Sequence, residues 1–166
     1  MHPAALPAEE LSRLCDVQRT RGSGPGGQHR NKVETAIVIT HRDSGIRGEA
    51  SERRSQAQNL AVAWQRLRVA LAMGVREPRK IDQPPSELWR SRVRGGKISI
   101  NPDHEDFGVL LAELLDILVA AEGDVTAAAE LLGISSSQIV KFLKLEPRAL
   151  QQLNQLRRER GLRALL

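Results

Sequence analysis

Aromatic residues are nearly absent from this chain: two Trp, two Phe and no Tyr, 2 % of 166 residues. A surface that stacks successive single-stranded bases needs several exposed rings, so that mode of binding is not expected. Cysteine is scarcer still. Cys15 stands alone, so no internal disulfide can form and a reducing compartment suits the chain. A reactive thiol is the sharper reading of Cys15, but it opens a strand-like stretch, and a buried structural role outweighs it. His2, His29, His41 and His104 are scattered and Cys15 has no partner at ligand spacing, so no metal site is expected. Nor does any spacing suggest a Ser-His-Asp or Cys-His constellation. If the chain is an enzyme, its chemistry lies in a loop lent to another active site. The start of the chain lacks the charged and apolar regions of a signal peptide. Its longest apolar stretch, residues 107 to 121, carries Glu113 and Asp116 and is too short to span a bilayer. The expectation is a soluble, cytoplasmic protein with no membrane partner.

What the chain has in excess is positive charge and, in one place, glycine. Lys and Arg number 25 against 20 Asp and Glu, a net charge of +5, which favours a polyanionic partner. The run Arg21-Gly22-Ser23-Gly24-Pro25-Gly26-Gly27-Gln28-His29-Arg30-Asn31-Lys32 concentrates both features. Its glycines admit backbone angles closed to other residues and let the main chain press against a ligand. Pro25 fixes its own φ and restricts Gly24, so the run is not merely slack. Gln28 offers a backbone N–H and an amide that both donates and accepts. A slender basic loop tipped by an amide is suited to entering a nucleic-acid site. The bland alternative, a hairpin connection, is the usual fate of a Gly-Pro-Gly run taken alone.

The flanking pattern changes that weighting. Gly24-x-Gly26-Gly27-Gln28-x-x-Asn31-Lys32 is followed by Thr35, Ile37-Val38-Ile39, His41 and Ser44-Gly45-Ile46, then by Arg53-Arg54-Ser55-Gln56-x-x-Asn59 and an arginine-rich helix. In order and spacing this resembles the GGQ domain of class I peptide chain release factors and their ribosome-rescue relatives, over roughly residues 15 to 73. The resemblance implies a loop whose Gly26, Gly27 and Gln28 are catalytic, entering the rRNA of the peptidyl transferase centre to hydrolyse the peptidyl-tRNA ester without any cofactor. It also implies that Gln28 is a candidate for methylation. Arg21, Ser23, Gly24, Arg30, Asn31 and Lys32 would touch RNA around the loop, and Arg53, Arg54, Ser55 and Gln56 would do so from the helix start. Two positions depart from the common pattern: Arg30, where an apolar residue is frequent, and Val38, where a basic one is.

The rest of the chain is read from periodicity and punctuation. A short helix is expected over 9 to 14 and a strand over 15 to 19. An antiparallel hairpin follows across 34 to 41 and 46 to 50. From Ser55 a helix is expected with Leu60, Trp64, Leu67 and Leu71 on its apolar face, ending at Gly74. Pro84-Pro85, Gly95-Gly96 and Pro102 mark 75 to 102 as a basic linker, in which Arg90, Arg92, Arg94 and Lys97 are either solvated or a secondary RNA contact. Residues 103 to 166 read as an α-helical module. Within it, 125 to 144 suggests a helix-turn-helix with Gly133 at the turn and Ser136, Ser137, Gln138, Lys141 and Lys144 facing outward. Gln138, Lys141 and Lys144 are its candidate nucleic-acid contacts, although a bundle used only for packing has the same spacing. In rescue relatives a basic C-terminal tail reaches the mRNA channel, which keeps Arg157 to Arg163 and an mRNA partner in view.

The expected fold is α+β: a small GGQ-type α/β domain over 1 to 74, then the linker and the helical module. The sequence carries no recognition motif for a stop codon. The preferred reading is therefore codon-independent release of the nascent peptide from stalled ribosomes. The alternative is a helix-turn-helix nucleic-acid adaptor or regulator whose glycine loop is inactive.

Overall fold

A computed structural model describes residues 1–21 and 34–166. The fold is α+β, with seven α-helices and two antiparallel sheets among the described residues. The chain divides into two units, Met1–Val75 and Arg76–Leu166.

The first unit begins with a 3₁₀ turn, Pro3–Ala5, and a short helix α1, Ala8–Arg13. Strands β1 (Cys15–Thr20), β2 (Ala36–His41) and β3 (Arg47–Ala50) form an antiparallel sheet in that order. Thr20 pairs with Ala36 and Cys15 with His41, so the expected glycine loop lies between two adjacent, registered strands. Helix α2 (Gln56–Gly74) packs on β2 and β3. The alternation of β2 and β3 decides which side chains meet it: Ile37, Ile39 and Ala50 are buried.

One position sets how close helix and sheet come. A Cβ on Gly48 would lie 2.3 Å from the Ala63 carbonyl oxygen and 2.5 Å from the Leu67 amide nitrogen. The backbone of α2 therefore passes directly over β3, and no side chain fits between them. This contact moves the buried stripe of α2 from where apolar spacing places it. Asn59, Ala63, Leu67 and Leu71 are buried, whereas Leu60 and Trp64 lie at the margin, half-buried. Gly48 and Ala63 are small where the backbones touch, and Leu67 lies beside them.

The first residues are tied down by polar contacts. His2 Nδ1 accepts from the Ala4 amide at 3.0 Å, and its Nε2 donates to the Val75 carbonyl at 3.1 Å, joining the chain start to the end of α2. Arg42 donates to the carbonyls of Arg13 and Cys15 and to the Asp16 carboxylate, fastening β1 to the turn after β2.

The second unit contains helices α3 (Glu87–Arg92), α4 (Phe107–Ala120), α5 (Val125–Leu132), α6 (Ser136–Leu143) and α7 (Pro147–Glu159). Strands β4 (Val93–Arg94) and β5 (Lys97–Ile98) form a small hairpin after α3. The punctuated stretch expected as a linker thus carries a helix and a hairpin, and it is anchored: Trp89 is fully buried and its indole N–H donates to the Leu132 carbonyl at 3.1 Å. The prolines and glycines mark turns between short elements. The Trp89 ring lies 5.9 Å from that of Phe142, which in turn stacks at 5.4 Å on Phe107. Three of the four aromatic rings therefore form one core around α6. Asp116, buried in α4, receives Arg76 Nη1 at 2.9 Å and the Glu77 amide at 3.2 Å, fixing the chain that leads into the unit.

Candidate nucleic-acid interface

The described roots of the glycine loop are held from one side by the first turn of α2. Ser55 caps that helix, its hydroxyl accepting from the Gln58 amide at 3.3 Å. One turn on, the Asn59 side chain is fully buried and satisfied on all sides. Its Nδ2 donates to the Thr35 carbonyl at 2.7 Å and the Arg53 carbonyl at 2.9 Å, and its Oδ1 accepts from the Arg53 amide at 3.0 Å. Gln56 Nε2 donates to the Glu34 carbonyl at 2.7 Å. Two amides thereby bind the backbone where the loop re-enters β2, and Asn59 also pins the Arg53-Arg54 turn beside it. Arg53 and Arg54 remain exposed, so their charges are displayed while their backbone is fixed.

A groove of about 320 Å³ runs along this end of the sheet, lined in part by Thr20, Arg21, Val38, Glu49, Glu52 and Arg66. Arg66 spans it, donating to the Glu49 carbonyl at 2.8 Å and to both carboxylate oxygens of Glu52 at 2.5 and 3.2 Å. Partial desolvation disfavours the Glu52 carboxylate, yet its own amide, the Ser51 amide and the Arg66 guanidinium lower its pKa from 4.5 to about 2. The pair keeps the acid from presenting a net negative charge beside Arg21. On the opposite end of β1, Cys15 is buried, and that burial pushes its thiol pKa up against the pull of Arg42. A raised pKa suits an inert, structural thiol.

Of the expected site residues, Arg21, Arg53, Arg54, Ser55 and Gln56 are described in the first unit. Ser23, Gly24, Gly26, Gly27, Gln28, Arg30, Asn31 and Lys32 lie outside the described residues. Gln138, Lys141 and Lys144 belong to the second unit. There Gly133 takes a left-handed conformation (φ 68°) between α5 and α6, and Ser135 caps α6 by accepting from the Gln138 amide at 3.3 Å. Ser137, Lys141 and Lys144 are exposed, whereas Ser136 and Gln138 are half-buried. The basic end of the chain folds back on α7. Asn154 exchanges two hydrogen bonds with Leu165, and Arg157 donates to the Gly123 and Arg163 carbonyls. These bonds fix that stretch against its own helix, and they occupy Arg157 in structure.

Asn59, which holds the root of the loop, is the residue that charge and motif reasoning passed over. Its place in Arg53-Arg54-Ser55-Gln56-x-x-Asn59 was visible, but a polar residue at a buried helical position has no signature in apolar spacing. Among the described residues, no group of His, Cys, Asp and Glu could hold a metal ion. No described helix is long and apolar enough to cross a membrane.

The family model described as RF-1 domain matches residues 11–100. Peptide chain release factor 2 of Paramagnetospirillum magneticum is 47 % identical over 86 residues, covering 48 % of this chain and 23 % of that protein. Release factor 2 of Variovorax paradoxus is 49 % identical over 76 residues, covering 46 % and 21 %. The chloroplastic release factor PrfB1 of Arabidopsis thaliana is 42 % identical over 74 residues, covering 45 % and 15 %. The chain thus spans less than a quarter of the length of these relatives.

Proposed function

The chain belongs to the RF-1 domain family, and from that membership we propose that it hydrolyses the ester of peptidyl-tRNA on the ribosome, freeing the nascent peptide without reading a codon. The observation that carries the reading is the anchoring of the Gly26-Gly27-Gln28 segment's roots. Thr20 and Ala36 are strand partners, and Gln56 and Asn59 hold the carbonyls of Glu34 and Thr35. A loop that is to place a backbone group within an ångström needs fixed ends.

In this reading Gln28 supplies its backbone N–H to the charge that develops on the ester carbonyl oxygen, an oxyanion-type stabilisation. Gly26 and Gly27 allow the approach, and the Gln28 side chain excludes or orients nucleophiles. The ribosome positions water and substrate, so no metal or organic cofactor enters. Arg21, Arg30, Lys32, Arg53 and Arg54 bind rRNA phosphates, and the second unit contributes affinity or context through Gln138, Lys141 and Lys144. Peptide release from ribosomes stalled without a stop codon tests the reading: the intact chain releases peptide and Gly27→Ala does not. Release by both, or by neither, rejects it.

A second reading is favoured by the Gly133 turn and the exposed Lys141 and Lys144. In it the helix-turn-helix is the working part, as a DNA-binding adaptor, and the loop is silent. It predicts duplex DNA affinity that depends on Gln138, Lys141 and Lys144, with no release.

A further inference from the structure

Most cations of Arg76–Leu166 are either paired with a carboxylate or exposed without a side-chain partner; Arg157 instead donates to carbonyls and Arg158 to Gln155. Arg76, Arg79, Arg92, Arg148 and Arg160 each face a carboxylate. Arg90, Arg94, Lys97, Lys141 and Lys144 are exposed and have no side-chain partner among the described residues, as are Lys80 and Arg163. This second group is not the overflow of a basic unit, because residues 76–166 contain fourteen Lys and Arg against thirteen Asp and Glu. Five of these seven charges are brought together by the fold. Arg90 lies in the last turn of α3, Arg94 and Lys97 on the hairpin, Lys141 on α6 and Lys144 at its C-cap. These elements pack on one another: Trp89 of α3 meets Phe142 of α6, and β5 packs against α6. Glu87 is the only acidic residue they carry.

The hairpin is built in a way that stability alone does not ask for. Arg94 and Lys97 are direct cross-strand partners. Like charges at that distance repel and weaken a hairpin that has only two residue pairs. Gly95 and Gly96 at the tip have φ of +55° and +72°, the conformation of a tight two-residue turn, which brings the two cations level with each other. A phosphate between them would turn that repulsion into attraction.

We propose that α3, the β4–β5 hairpin and α6 form a surface that grips the phosphate backbone of double-helical RNA. The rings of Trp89, Phe107 and Phe142 are buried, which leaves no platform for stacking unpaired bases. On α6 the exposed groups are the hydroxyl of Ser137 and the ammonium of Lys141, which suit phosphate. Gln138, the side chain able to fork onto a base edge, is half-buried. Shape and phosphate recognition is how A-form duplexes are bound. The choice of RNA over DNA rests on the ribosomal reading above.

The test uses the full chain and a mixed-sequence RNA duplex of about 20 base pairs, long enough to offer two successive minor grooves. Binding is followed by fluorescence anisotropy from about 0.05 to 0.3 M salt. Arg94→Ala with Lys97→Ala should weaken binding roughly ten- to thirtyfold at about 0.15 M and flatten the salt slope by about 2, the share of two phosphate contacts. Its thermal midpoint should not fall, since the variant removes a repulsion. Lys97→Glu, which sets an ion pair across the hairpin, should raise that midpoint while weakening the RNA complex. Unchanged affinity and slope in the double variant would overturn the surface. Tighter binding to a DNA duplex of equal length would overturn the RNA assignment, and a lower midpoint for Lys97→Glu would overturn the repulsion argument. Duplex binding needs no peptide release, so this inference and the release reading fail in separate assays.

Discussion

The two units bury their helices by different means. In the first, α2 lies backbone to backbone on β3 at Gly48, and polar side chains do much of the fastening. Asn59, Gln56, Arg66 and Arg68 all donate from α2 to main-chain carbonyls of other segments. In the second, three rings and the leucines of α4 fill the space between helices. A ring core tolerates small shifts of its helices, because apolar contact is non-directional. Hydrogen bonds to carbonyls fix position to a fraction of an ångström. The first unit thus holds its backbone in the manner a catalytic loop requires, and the second holds a scaffold for surface charge.

That contrast can be broken at four places. Phe142→Ala removes the ring at the centre of the second unit and should cost about 3–5 kcal/mol there, leaving amide exchange in 1–75 unchanged. Loss of protection in both units would show that they do not unfold independently. Gly48→Ala forces a methyl into the α2 backbone and should cost about 3 kcal/mol, seen as selective loss of exchange protection in β3 and α2. Asn59→Ala strands the Thr35 carbonyl and both Arg53 groups and should cost about 2 kcal/mol. Its release rate at saturating protein should fall by more than the unfolded fraction explains, and ribosome affinity should change less. If release tracks the folded fraction alone, Asn59 is structural only. The smallest effect is electrostatic. Glu52 has a folded pKa of about 2 against an ordinary 4.5, so its contribution is complete above pH 4.5 and drains away as pH falls toward 2. Glu52→Gln should flatten the acid limb of a pH–stability profile of the first unit, and an unaltered limb would show that the Arg66 bridge contributes nothing.

How far the sequence revealed this depends on what kind of signal each part leaves. The hairpin of β2 and β3 follows from β-branched residues and the Asp43-Ser44-Gly45 turn, and the helix-turn-helix from Gly133 and the serine cap. These are local rules and the fold obeys them. The face of α2 is not local. Leu60 and Trp64 outrank Ala63 on hydrophobicity, but the turn that meets Gly48 is the one carrying Ala63 and Leu67, and Asn59 is buried for its hydrogen bonds. Residues 87 to 98 read as linker because prolines and glycines punctuate tight turns as well as slack chain. Only Trp89, an aromatic residue in a chain nearly without them, hinted that the stretch packs.

The central claim is that the glycine loop presents a backbone donor, with its ends fixed by the first unit. Single-turnover peptide release at saturating protein tests it through three substitutions. Gln28→Ala keeps the N–H and should retain part of the rate. Gly27→Ala adds a Cβ where close approach is needed and should be slower. Gln28→Pro removes the N–H itself and should be among the slowest, a loss of about a hundred- to a thousandfold for one such donor. If Gln28→Ala is as inactive as Gln28→Pro while Gly27→Ala still releases peptide, the side chain is the catalytic group and the backbone-donor account is contradicted.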